Sequence, residues 1–90
     1  SMLSNEILHK RPKNIIIMGR ESNGIYRLSI RSPENSIIIP PLLNKAINGL
    51  DATGGGHDHA CGASIKSEDL EIFLERFRKE IQKTYKTTKL

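Results

Sequence analysis

Residues 54–62 read Gly54-Gly55-Gly56-His57-Asp58-His59-Ala60-Cys61-Gly62, and the way this run folds decides how the chain is organised. Glycine loses more backbone entropy on folding than any other residue. Three in succession mark a backbone that needs unusual geometry, close approach to something, or both. A titratable ring, His57, follows at once, and bare amides beside a ring donor suit an anion. Two readings stand at this point. In one, Gly54–Gly56 form a concavity of N–H groups feeding a one-turn helix at His57–Cys61, whose dipole adds to the anion's binding. In the other, the run is a tight connection between a helix and a strand, and His57 only caps it. The spacing matches neither the P-loop pattern nor Gly-x-Gly-x-x-Gly.

Downstream of the run, Ala63-Ser64-Ile65-Lys66 has the length of a short strand. Ser67 is a helix N-cap by type, with Glu68, Asp69 and Glu71 placed for the positive end of a helix dipole. Leu70, Phe73, Leu74, Phe77 and Ile81 then recur at i, i+3, i+4, i+7 and i+11, which predicts an amphipathic helix from 67 to about 85.

Upstream, Leu42, Leu43, Ala46 and Ile47 keep helical spacing behind Pro40-Pro41, and Asn48-Gly49 supplies the stop. Ile37-Ile38-Ile39 reads as a short extended piece, because the residue before a proline avoids helix. Ile25-Tyr26-Arg27-Leu28-Ser29-Ile30-Arg31 alternates as a strand. Tyr26, Leu28 and Ile30 form its core face, and Ile25, Arg27, Ser29 and Arg31 the other. Asn23-Gly24 before it is a hairpin turn signal. Asn14-Ile15-Ile16-Ile17-Met18 contains a continuous β-branched run, as expected of a strand buried on both faces. Residues 4–13 are largely polar and read as a lead-in segment. The expected division is thus a tail or linker remnant over 1–13, a domain over 14–85 and a basic tail over 86–90. No internal repeat or low-complexity tract interrupts it.

The 90 residues make one small domain with a core of modest stability. Its single cysteine excludes an internal disulfide framework and fits the reducing cytoplasm. The apolar runs are far too short to span a bilayer, and no secretory h-region follows Met2. Ser1 ahead of Met2 reads as a cloning scar, compatible with a full chain or an excised domain. The net charge is +4, but residues 76–90 hold Arg76, Arg78, Lys79, Lys83, Lys86 and Lys89 against Glu80, so the remainder is near neutrality. This excess is read either as a solvated helix end or as an electrostatic docking surface.

His57, His59 and Cys61 are ligand types for zinc, yet their alternate spacing is not that of separated ligand pairs, and no metal ligand is assigned. Neither a nucleophile with its base nor a carboxylate-rich metal motif is present, so no catalytic residue is assigned to this chain. Arg31 has the planar fork that matches a phosphate; its alternative is a surface ion pair.

Leu28-Ser29-Ile30-Arg31-Ser32, then Gly54-Gly55-Gly56-His57 with Ala60 and Gly62, followed by a strand and a helix, resembles the DHHA1 domain. This is the C-terminal substrate-binding domain of DHH-family phosphoesterases, here most similar to the RecJ-like exonuclease and oligoribonuclease branch. The resemblance covers about Asn14 to Ile81. It implies an α/β fold, a small mixed β-sheet flanked by helices. It also implies that Gly54, Gly55, Gly56 and His57 hold a substrate phosphate with Arg31 assisting, and with Ser29 and Ser32 in support. The substrate is expected to be single-stranded nucleic acid, a short oligonucleotide or a nucleotide. Manganese or another divalent ion is expected in the DHH catalytic domain that serves as partner, whose Asp-His-His motif this sequence lacks. Cys61 departs from the family, where alanine is frequent. The alternative is a partner-docking interaction module with a basic C-terminal helix.

Overall fold

The computed structural model describes residues 7–11 and 15–88, with side chains described for 15–84. Strand β1 (Ile7–Arg11) leads into β2 (Ile15–Ser22) and β3 (Ile25–Arg31). Helix α1 (Ile39–Ile47), strands β4 (Ala52–His57) and β5 (Ala60–Lys66), a 3-10 turn at Ser67–Asp69 and helix α2 (Leu70–Thr88) complete the chain. The fold is α/β, and its single sheet has the order β1-β2-β3-β5-β4 with every neighbouring pair antiparallel.

Each turn follows from its residues. Between β2 and β3, Asn23 (φ 53°) and Gly24 (φ 78°) both take positive φ, the type I′ pattern that matches strand twist. Extended Ile38 precedes α1, the two prolines occupy its first turn, and Gly49 (φ 80°) follows its last. Residues 7–11, a lead-in segment by their polarity, instead form an edge strand with His9 opposite Ile17. The 3-10 turn takes Ser67–Asp69, so α2 begins at Leu70 and not at a Ser67 cap. The Ser67 hydroxyl donates to Glu21 Oε2 at 2.7 Å.

The core lies on one side of the sheet. Ile15, Ile17, Leu28, Ile30, Cys61, Ala63 and Ile65 project there and are buried beneath Leu42, Leu43 and Ala46 of α1 and Leu70, Phe73, Phe77 and Ile81 of α2. Phe73 and Phe77 stack, with ring centroids 5.6 Å apart and planes 12° off parallel. Burial of β2 on both faces does not occur: Ile16 is half-buried and Met18 is 55% exposed. Both helices cover the same face, so the β-branched run has water on its other side. That open face carries the polar row foreseen on β3.

Candidate functional site

The glycine run is neither a loop nor the approach to a helix. Gly54–His57 is the last part of edge strand β4, Asp58-His59 is a two-residue turn, and β5 starts at Ala60. The one-turn helix expected at His57–Cys61 is absent, and with it the helix-dipole contribution to an anion. Two-residue antiparallel hairpins favour positive φ, which Asp58 and His59 lack. Contacts with the β3–α1 connection hold this turn. The Ser32 amide donates to the His59 carbonyl at 3.1 Å, and the Ile39 amide donates to the Asp58 carbonyl at 2.8 Å. The Ser32 hydroxyl donates to the Ile37 carbonyl at 2.8 Å and lies 2.9 Å from His59 Nδ1. Because its proton goes to Ile37, the hydroxyl is left to accept from a proton on Nδ1.

The three glycines answer three different demands. A Cβ on Gly54 would sit 3.0 Å from Leu43 Cδ2 and 3.2 Å from the Gly62 carbonyl, so this residue lets α1 pack close against β4. Gly56 has φ +147°, and a Cβ there would lie 2.5 Å from the Ala60 carbonyl. The hairpin itself therefore requires it. Gly55 has nothing within 4 Å of the space a Cβ would occupy. It faces open space on the uncovered side of the sheet, and packing does not account for its lack of a side chain.

The strand register brings the other candidates to Gly55. Directly opposed residues share a face. On the open face Ile16, Arg31, Ala60 and His57 form one row across β2, β3, β5 and β4. Met18, Ser29, Gly62 and Gly55 form the next, and Arg20, Arg27, Ser64 and Thr53 a third. Arg31 and His57 are two strand spacings apart, about 10 Å between backbones, with only Ala60 between them. Both are exposed. Arg31 Nη1 donates to the carbonyls of Ile30 (3.1 Å) and Cys61 (3.4 Å), which steadies the guanidinium over β5 and leaves its other donors available. No Asp or Glu occupies these rows. Ser32 lies beyond the strand, where it anchors the turn and does not face the rows.

The possible zinc set is dispersed. His57 is exposed on the open face, His59 is bonded in the turn, and Cys61 is buried on the core side with its thiol donating to the His57 carbonyl at 3.2 Å. Among the described residues no three His, Cys, Asp or Glu side chains converge as metal ligands. Burial raises the Cys61 pKa from its ordinary 9.0; Arg31 partly offsets this, and Asp58 adds to it. The thiol is a neutral core group at physiological pH.

A family model for the DHHA1 domain matches residues 1–83. The chain belongs to the DHHA1 domain family. No curated protein matches it. DHHA1 domains occur alongside DHH catalytic domains, so membership ties this chain to the DHH-family phosphoesterases. In this DHHA1 domain the Gly-Gly-Gly-His run is the edge of a sheet whose open face is cationic and floored by glycine. Gly62, Met18 and Arg27 belong to that face by register. Arg27 was visible in the alternation of β3, whereas placing Gly62 and Met18 required the strand pairing.

The described cations of α2 are engaged elsewhere. Arg76 donates to the Asn48 carbonyl at 2.8 Å, beyond the end of α1. Arg78 and Lys79 pair with Glu75 at 2.8 and 3.8 Å, and Lys83 with Glu80 at 3.5 Å. The side chains of Lys86 and Lys89 lie outside the described residues. Among the described residues, no helix is long and apolar enough to cross a membrane.

Proposed function

We propose that this DHHA1 domain binds the phosphate backbone of single-stranded nucleic acid or a short oligonucleotide and presents it to a DHH catalytic domain. One observation carries the reading. Arg31 and His57 stand in one row of the open face, beside a floor made bare by Gly55 and Gly62. A phosphate above Ala60 meets a guanidinium fork on one side and an imidazole on the other. Gly55 and Gly62 let the sugar-phosphate chain approach the sheet. Ser29 adds a hydroxyl from the neighbouring row. Gly54 and Gly56 contribute by shaping the strand, and Ser32 by holding the turn. Recognition through backbone phosphates predicts little base preference.

Bond cleavage, with its manganese or other divalent ion, belongs in this reading to the DHH partner, and this domain supplies binding and orientation. The parent activity is then a cytoplasmic phosphodiesterase or exonuclease of the RecJ-like or oligoribonuclease type. The ion pairs along α2 weigh against the rival reading, a docking module that works through its basic helix.

The test is an NMR titration of the chain with inorganic phosphate and with a mononucleotide. The amides of Gly54–His57, Ala60 and Gly62 and the Arg31 side chain are expected to shift together, with millimolar affinity. Shifts confined to α2, with the hairpin unmoved, would overturn the assignment in favour of the docking module.

A further inference from the structure

Apolar and cationic side chains lie beyond the phosphate row. Met18 is 55% exposed, and it stands in the same row as Ser29, Gly62 and Gly55. Nothing packs on it from α1 or α2, which cover the opposite face. Ile16 flanks it, half-buried, in the Arg31 row. In the row on its other side Arg27 is exposed and has no ion-pair or hydrogen-bond partner among the described residues, and Arg20 stands opposite it. Arg27 and Arg31 are four residues apart on one strand, about 13 Å between backbones. The middle row therefore presents a thioether beside two glycines and a serine, bounded along the strand by an arginine at each end.

We propose that this middle row is a nucleobase platform: a base of a single-stranded oligonucleotide lies on Met18 and Ser29, and Arg27 holds the following phosphate. The inference rests on the phosphate reading of the His57–Arg31 row and extends it to a second phosphate and the base between. The face is cationic at both ends, which selects a polyanion. It is bare and apolar in the middle, which suits a flat aromatic ring. A thioether makes a favourable contact with a π-face. A base stacked on protein contributes affinity with little regard to sequence, because every base has such a face. An apolar peptide finds no use for the flanking arginines, and a lone phosphate finds none for Met18.

The experiment uses the chain with ¹³C-methyl methionine and three probes: inorganic phosphate, a 5′-phosphorylated dinucleotide of 2′-deoxyadenylate, and the same phosphodiester backbone with abasic sugars. A ring-current shift of the Met18 methyl is expected with the dinucleotide and not with the other two. Met18→Ala is expected to weaken dinucleotide binding about three- to tenfold, the size of one sulfur–aromatic contact, and Met18→Leu to restore part of the loss. Arg27→Gln is expected to reduce the slope of log affinity against log salt by about one phosphate contact. If Gly55, Gly62 and His57 shift while the Met18 methyl stays in place, or if Met18→Ala binds the dinucleotide like the parent, the platform is overturned and the phosphate reading stands. If the Gly54–His57 amides respond to none of the probes, the phosphate reading fails and the platform with it.

Discussion

Gly55 and Gly62 oppose each other across β4 and β5 on the open face, and packing explains neither. A Cβ at Gly55 meets nothing within 4 Å, and one at Gly62 meets only the Leu28 carbonyl at an ordinary 3.6 Å. Neither residue takes a positive φ. Two adjacent strand glycines without a structural cause weaken the ladder, so the bare floor they make is the feature left to explain.

Gly55→Ala therefore separates stability from binding. The backbone there suits an L-residue, so the substitution should leave the fold as stable as before or raise its stability by about 0.5 kcal/mol through the unfolded chain. Gly55→Val should also fold, since a strand favours β-branched residues. Both should lose phosphate and oligonucleotide binding as side chains rise from the floor. Urea denaturation together with the phosphate titration measures both quantities. Binding equal to the parent in Gly55→Val would remove the floor from the site.

Gly56 should behave in the opposite way. Its φ of +147° is disfavoured for other residues, and a Cβ would come within 2.5 Å of the Ala60 carbonyl and 2.7 Å of Cys61 Cα. Backbone atoms cannot swing aside as a side chain does. Gly56→Ala should cost about 2–3 kcal/mol, the range for a residue forced into such a conformation. The same denaturation experiment reads this. A loss below about 0.5 kcal/mol would mean that the hairpin relaxes around the new atom, which is within the ordinary range for a harmless surface change.

Much of this hairpin was hidden from the sequence for a physical reason. Periodicity reports burial, and β4 reads Ala-Thr-Gly-Gly-Gly-His, with hardly a side chain to carry a pattern. Its pairing comes from β5, across a two-residue turn that lacks the usual turn residues, and from backbone bonds to the β3–α1 connection, which is distant in sequence. By contrast, the alternation of β3, the Asn23-Gly24 turn and the stripe of α2 express local rules, and they were legible. So was the grouping of Arg27, Ser29 and Arg31 on one face. That Ile16 and Met18 would face water was not legible, because a β-branched run looks the same whether one face is covered or two. The Gly-Gly-Gly-His signature stood out in the sequence, but its local structure, a strand edge leading into a tight turn, did not.

Cys61 gives the domain a pH dependence of definite sign. Burial holds its folded-state pKa above the ordinary 9.0, so the folded protein keeps a proton that the unfolded chain releases first. Stability from this group is complete below pH 9 and is lost as pH rises through the folded-state value. Cys61→Ala removes the titrating thiol while leaving a small apolar side chain. The difference in unfolding free energy between parent and Cys61→Ala should be flat from pH 6 to 8 and should then turn against the parent above the thiol's ordinary range. Thiol alkylation should be slow at neutral pH in the folded chain and fast in urea. A flat difference up to pH 11 would show that the thiol ionises as readily in the fold as outside it.

Ser32 and His59 form the tie on which the Arg31 end of the site depends. The hydroxyl bridges the Ile37 carbonyl and His59 Nδ1, at 2.8 and 2.9 Å, one residue beyond Arg31 and two beyond His57. Ser32→Ala leaves the ring donor and the carbonyl without this partner, and should cost about 1–2 kcal/mol. Ser32→Thr keeps the hydroxyl and should recover most of that loss. Besides denaturation, the His59 ring distinguishes the tie from mere packing: its Nδ1–H should exchange slowly in the parent and in Ser32→Thr, and rapidly in Ser32→Ala. Phosphate affinity should fall with the loosening of the turn, in Ser32→Ala alone. Unchanged exchange at Nδ1 in Ser32→Ala would show that the ring proton never depended on the hydroxyl, and would leave the backbone bonds of Ser32 and Ile39 as the turn's anchors.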